Sequence, residues 1–334
     1  MVTGPAVVAG SVTPTLGRKG SPVTAVQQTP VSEIPDEKPL DKKRRVRRLT
    51  PRDQVVISLM IGIPTLIEAI LVWFPAIASI ILSFGRWNGV GAFSKIQWIG
   101  TINYHNVFNV DPNFWPAVRH NLIWLAVLAF IASPAGIFLA VLLDRELPGS
   151  KIMQSIFFLP VMFSLALVGV IWQLIFSPDQ GLINGIFGTH VDWFGNPNIN
   201  LWAALIAASW KHIGYIMVLY LAGLKGVDPS LREAAAIDGA TSRQTFFRVV
   251  FPAMKPINIV IVVITVIEAL RAFDIVFIIN KGTNGLQLLA TMIYTNSGAA
   301  ARVGYASALA VILLVIALVP IVSYLTQAFK EEKR

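Results

Sequence analysis

Most side chains that could do chemistry in this chain lie inside long apolar stretches: Glu68 in the first, Lys211, His212 and Tyr215 in the fourth, and Glu268, Arg271 and Asp274 in the fifth. Ionisable groups in lipid-spanning segments are costly, so by default they line a pathway or are paired internally. His212 and Tyr215 stand three residues apart and share one helical face, as do Glu268 and Arg271, for which the spacing predicts a local ion pair. His212 equally suits a hydrogen bond between helices. None of this amounts to a reactive centre. The chain has no cysteine, which excludes disulfides, thiolate nucleophiles and cysteine metal sites. Its histidines, His105, His120, His190 and His212, form no HExxH pair, and no DxD-type dyad occurs. No catalytic residue and no metal site are expected. A membrane-embedded glycosyl- or lipid-modifying enzyme remains only a remote alternative.

A second polar cluster lies between two apolar stretches. Residues 228–252 read DPSLREAAAIDGATSRQTFFRVVFP and carry Asp228, Arg232, Glu233, Asp238, Arg243 and Arg248. Asp228 is a suitable N-cap, Pro229 fits the first helical position, and LREAAAID has high helix propensity. Gly239 suits a left-handed C-cap. Thr241 with Gln244 three residues on fits a capping box that starts a second helix, which Pro252 stops. The sequence therefore writes helix, glycine turn, helix, with Phe246, Phe247 and Phe251 expected to pack against the rest of the protein. Ala234–Ala236 form a small-residue surface that another protein can approach closely. Glu233 beside it offers a carboxylate to an arginine or lysine of a partner.

These groups need a membrane scaffold. Of 334 residues, 55% are hydrophobic and only 13% charged, too little polar surface for a soluble globule. Six segments, about 55–83, 120–143, 153–176, 201–224, 254–279 and 304–328, are apolar enough to cross a bilayer at ~20 residues per crossing. Backbone groups in lipid must be satisfied within each segment, so the expected fold is an all-α integral membrane protein of six transmembrane helices. Pro64, Pro75, Pro134 and Pro320 fall inside them and should bend them. Twenty of the 27 basic residues fall on the side of the two chain ends, and five on the other, with Lys211 and Arg271 inside segments. By the positive-inside rule both termini and the 228–252 loop are cytoplasmic. Residues 1–50 read as a disordered tail ending in a basic run, 42–52, that fixes orientation rather than binding nucleic acid. The domain proper is 51–334. Loops 84–119 and 177–200 face outward, and their Trp87, Trp98, Trp115 and Trp193 suit interfacial anchors or a docking surface.

EAAAIDG, followed by nine residues and V-x-F-P, resembles the EAA motif of permease subunits of ATP-binding-cassette importers, with Val249 and Phe251 where Ile and Leu are usual. The resemblance covers about residues 50–330 and is closest to carbohydrate permeases of the maltose type, on the larger-subunit side. WIGTINYHNVF, LPGSKIMQSIFFLP, GVIWQLIFSPDQGLIN and FDIVFIINKG carry it elsewhere. One departure is Asn280-Lys281-Gly282-Thr283, where the family often has Gly-Gly-Pro. The resemblance implies a multi-pass subunit of a bacterial cytoplasmic membrane, working with a second permease as a heterodimer, two ATPase subunits and an external solute-binding protein. Its coupling residues would be Glu233, Ala234, Ala235, Asp238 and Gly239. It also implies a sugar path at Trp210, Lys211, His212, Tyr215, Thr265 and Glu268, Thr265 by family position and Glu268 only as its neighbour in the helix. Sugars need aromatic faces and paired donors and acceptors, which these residues offer. The chain lacks G-x-x-x-x-G-K-[ST], so ATP with magnesium is expected on the partner ATPase and no cofactor in this chain. Glycerol phosphate or another polar solute is the sister reading for cargo.

Overall fold

The computed structural model describes residues 50–145 and 148–332, so all but the last residue of the expected tail lies outside it. Internal contacts divide the chain into residues 1–59 and 60–334. The described part of the first unit, 50–59, opens the first helix, and the second unit carries the remaining elements. The elements in order are α1 (Pro51–Leu82), a short ribbon of β1 (Gly85–Arg86) and β2 (Gln97–Trp98), α2 (Ile102–Asn109), α3 (Phe114–Asp144), α4 (Ser150–Met162) and α5 (Leu165–Ile175). There follow α6 (Leu182–Phe187), α7 (Asn200–Lys225), α8 (Pro229–Ile237), α9 (242–253), α10 (Lys255–Leu270), α11 (Asp274–Asn280), α12 (Leu289–Ser297) and α13 (Val303–Glu332). In the ribbon, Gly85 faces Trp98 and Arg86 faces Gln97, antiparallel.

Among the described residues, four helices are long and apolar enough to cross a membrane unbroken: α1, α3, α7 and α13 over Val303–Val322. The expected span 153–176 is instead two helices, α4 and α5, bent by 104°. Pro160 lies just before the break, and Phe163 and Ser164 are extended there. The Ser164 hydroxyl then accepts from the Leu167 N–H, capping the new helix and satisfying a donor that no preceding turn could serve. The expected span 254–279 is also interrupted, between α10 and α11 at residues 271–273.

Proline leaves a more regular mark. In three places the residue before a proline donates its N–H five residues back rather than four: Phe74 to Ala69, Ser133 to Leu128 and Phe251 to Phe246. Pro75, Pro134 and Pro252 come next in each case. A proline ring inside a helix removes one N–H and crowds the preceding turn, and one widened turn relieves both. Pro64 and Pro320, by contrast, sit in α-helical turns.

Among the described residues, the buried apolar side chains form three clusters. One joins Trp124 and Leu128 of α3 to Leu201 and Leu205 of α7 and Ile275 and Val276 of α11. The second joins Leu143 of α3, Tyr220 and Leu224 of α7, Val250 of α9 and Met254 and Ile261 near or on α10. The third joins Val107 of α2 and Phe114 at the start of α3 to Leu289 of α12 and Leu309 of α13. The α3–α7 pair runs through the first two, and both candidate sites hang on it.

Candidate functional site

The inner site begins at Ser133, whose place is set by the widened turn before Pro134. Its hydroxyl lies 3.0 Å from Nε2 of His212 on α7 and 3.1 Å from the hydroxyl of Thr265 on α10. The Thr265 hydroxyl donates back to the Ile261 carbonyl at 2.7 Å, the usual way a helical threonine satisfies itself. On the other side of the ring, His212 Nδ1 is 2.7 Å from Glu268 Oε2. A carboxylate only accepts, so Nδ1 carries the hydrogen. Three helices are thus tied at one buried polar point, where burial without partners would be costly. His212 is 2% exposed in its side chain and Glu268 47%, so the histidine is the interior end of the pair and the carboxylate the open end.

That open end faces a cavity of about 410 Å³ whose polar wall is Lys211, His212, Tyr215, Glu268, Arg271 and Asp274. The break between α10 and α11 brings Arg271 and Asp274 to this wall. Glu268 takes His212 rather than Arg271 as its polar partner, which corrects the spacing-based expectation of an ion pair with Arg271. Lys211 also donates to the carbonyl of Phe163, the one left extended at the α4–α5 bend. Of the expected path residues, Lys211, His212, Tyr215 and Glu268 line the cavity together. Thr265 is 2% exposed and stands behind His212. Trp210 turns away to meet Trp172 of α5 edge-on, with ring centres 5.8 Å apart, and is no part of the wall. Nothing in the sequence singles out Ser133: a serine before proline in an apolar segment gives no signal of its partner 79 residues on.

A larger cavity, about 1170 Å³, opens among the segments expected outside. Arg86, Lys281 and Arg302 and many amide and hydroxyl side chains line it, with Asp111, whose carboxylate accepts from the Tyr305 hydroxyl at 2.6 Å. At its edge the Asn280 side chain builds the turn itself, accepting from Gly282 N and donating to Thr283 O, with Lys281 left-handed.

The helix pair α8–α9 forms as its residues dictate. Asp228 Oδ1 accepts from the Ser230 N–H at 2.9 Å, and this hydrogen bond holds its carboxyl below the usual aspartate value. The cap is therefore complete above the pKa of a free aspartate and is lost only as pH falls through the lower, folded value. Gly239 has φ +75°, and the Ala240 N–H returns to Ala235 O at 3.0 Å, closing α8. Thr241 N donates to Gln244 Oε1 at 2.8 Å, and Gln244 N to Thr241 Oγ1 at 3.4 Å, opening α9. Glu233, Ala234, Asp238 and Gly239 are exposed, and Ile237 is 87% exposed. Ala235, expected on the same contact surface, is buried and faces inward. Of the three phenylalanines only Phe246 packs into the core; Phe247 is 58% exposed and Phe251 37%.

Compared with known proteins, residues 132–331 match the family model described as the binding-protein-dependent transport system inner membrane component. A probable ABC transporter permease protein of Pyrococcus horikoshii is 31% identical over 283 residues, covering 81% of this chain and 95% of that one. The xylose/arabinose import permease protein XacH of Haloferax volcanii is 31% identical over 277 residues, covering 81% and 87%. Among solved structures, a chain of a bacterial ABC transporter involved in the import of the acidic polysaccharide alginate superposes with TM-score 0.72 at 24% identity, covering 84% of this chain and 96% of that one.

Proposed function

Because this chain belongs to the family of binding-protein-dependent transport system inner membrane components, we propose that it forms, with a second permease, the translocation path for a saccharide, driven from the cytoplasm through α8–α9. Such a subunit is not itself an enzyme. Hydrolysis of ATP with magnesium falls to two partner ATPases, one of them docked on the exposed face of α8 and the turn after it, where Glu233, Ala234, Asp238 and Gly239 meet it. An external solute-binding protein delivers cargo on the side of the larger cavity. Counting the α4–α5 and α10–α11 pairs as one span each gives six, with both chain ends in the cytoplasm of a bacterial cell. Most apolar side chains of 60–82 are exposed and suit lipid or the second permease.

The observation that carries the reading is the polar cavity held among apolar spanning helices. Its wall combines the phenol of Tyr215 and the rings of His212 and Phe273 with fixed donors and acceptors. Two cations, Lys211 and Arg271, stand against two carboxylates, Glu268 and Asp274. That balance suits the hydroxyls of an uncharged sugar and gives a phosphate or an acidic sugar no net attraction. The name of the XacH relative, a xylose/arabinose import permease, points the same way. The test is calorimetric binding of pentoses, arabino- and malto-oligosaccharides, glycerol phosphate and amino acids to the cognate solute-binding protein, followed by uptake of the bound solute into proteoliposomes. Binding of a neutral saccharide and its ATP-dependent uptake are expected. A binding protein selective for amino acids or phosphate esters overturns the cargo.

A further inference from the structure

An acidic residue at a helix C-terminus stands where the helix dipole disfavours it. Asp144 is the last residue of α3, and only 17% of its side chain is exposed. Its Oδ2 accepts from Arg232 Nη1 of α8 at 2.9 Å. The other terminal nitrogen of the same guanidinium, Nη2, donates to the Leu224 carbonyl in the last turn of α7 at 3.3 Å. One planar fork thus joins the ends of α3 and α7 to the middle of α8, one residue before the exposed Glu233. Lysine has one point charge and could not hold both acceptors in that plane.

The two helices so gripped pack closely higher up. At Gly136 of α3, a Cβ atom would stand 2.7 Å from the backbone oxygen of Ile213 on α7, so the backbones touch there. Eleven residues above Asp144, about 17 Å at ~1.5 Å per residue, α3 carries Ser133. Twelve residues above Leu224, about 18 Å by the same rise, α7 carries His212. Those two side chains meet at 3.0 Å and support the cavity wall.

We propose that Arg232 is the positioning residue that fastens α8 to the α3–α7 pair, so that a displacement of α8 reaches the Ser133–His212–Glu268 cluster as a rigid movement. The inference rests on α8 being the surface the ATPases drive. Without the fork, Ala235 of α8 and Phe246 of α9 stay packed, but α8 slides against α3.

The test uses the permease pair with its ATPases in lipid nanodiscs. Because the chain lacks cysteine, spin labels at Ser230→Cys on α8 and Phe138→Cys on α3 are unique within it. Electron–electron distance distributions are recorded without nucleotide and after trapping with ATP and vanadate. With Arg232 and Asp144 present, one narrow distance is expected in both states. In Asp144→Arg and in Arg232→Asp the distribution should be at least twice as wide, or shift on trapping. The swap Arg232→Asp/Asp144→Arg should restore the narrow distance. A single-charge reversal that leaves the distribution narrow in both states overturns the proposal, as does a correctly assembled swap that stays broad. If a reversal fails to assemble, Asp144→Asn and Arg232→Gln carry the same expectation with little change of shape. The nucleotide-free distances are read equally well on the permease pair alone. Normal retention of the ATPases by a Glu233→Lys chain would instead count against docking on α8, and leave the swap result standing.

Discussion

His212 serves both as a hydrogen-bond group between helices and as support for the cavity wall, because its two ring nitrogens point opposite ways. Nε2 faces Ser133 inside, and Nδ1 holds the carboxylate that reaches the cavity. Removing the charge of that carboxylate while keeping its shape, in Glu268→Gln, weakens a charge-assisted bond worth about 1.5–3 kcal/mol. We expect the apparent affinity for the transported saccharide to fall about tenfold or more, read as KM in proteoliposomes, with assembly unchanged. An unaltered KM would remove Glu268 from the path. On α8, Glu233 is exposed and makes no ion pair within this chain among the described residues. Glu233→Lys should abolish ATPase co-purification and uptake while membrane insertion persists, since a docking carboxylate becomes a repelling ammonium. Normal uptake by that variant would contradict the docking role.

The element that most needs its local distortion is α3. Its widened turn ends where Pro134 begins and sets the direction of Ser133. In Pro134→Ala the missing N–H returns, and the turn can tighten to ordinary α geometry, which rotates one end of the helix against the other by about 100°. The Ser133–His212 bond at 3.0 Å would not survive such a rotation. The expected result is a helix that remains folded by circular dichroism with saccharide affinity reduced several-fold. A crystal or cryo-electron structure of the variant with Ser133 still on His212 would show that tertiary contacts, not the proline, fix the turn. The break between α4 and α5 belongs to the same class: Ser164 caps the new helix, and Lys211 serves the carbonyl exposed at the bend.

Across the whole molecule, the charge distribution predicts the orientation. Single cysteines at Ser242, in α9, and at Asn196, in the 177–200 loop, should react with a membrane-impermeant maleimide from opposite sides: Ser242→Cys only in inside-out vesicles and Asn196→Cys in intact cells. Labelling of both from one side would invalidate the topology. Much of this was legible in the chain. Hydropathy marked out α1, α3, α7 and α13, because a long apolar run in lipid has no choice but to satisfy its backbone locally. The Asp228, Gly239 and Thr241–Gln244 signals wrote α8 and α9 within a residue, since caps are interactions between near neighbours. The tertiary structure alone decided the rest. It broke two expected spans, turned Ala235 and Trp210 inward or aside, gave Glu268 to His212 in place of Arg271, and paired Arg232 with Asp144 across 88 residues. The physical reason is one of range. A cap or an apolar span is settled by its own few residues, whereas a buried polar group takes whichever partner the folded helices bring within hydrogen-bonding distance.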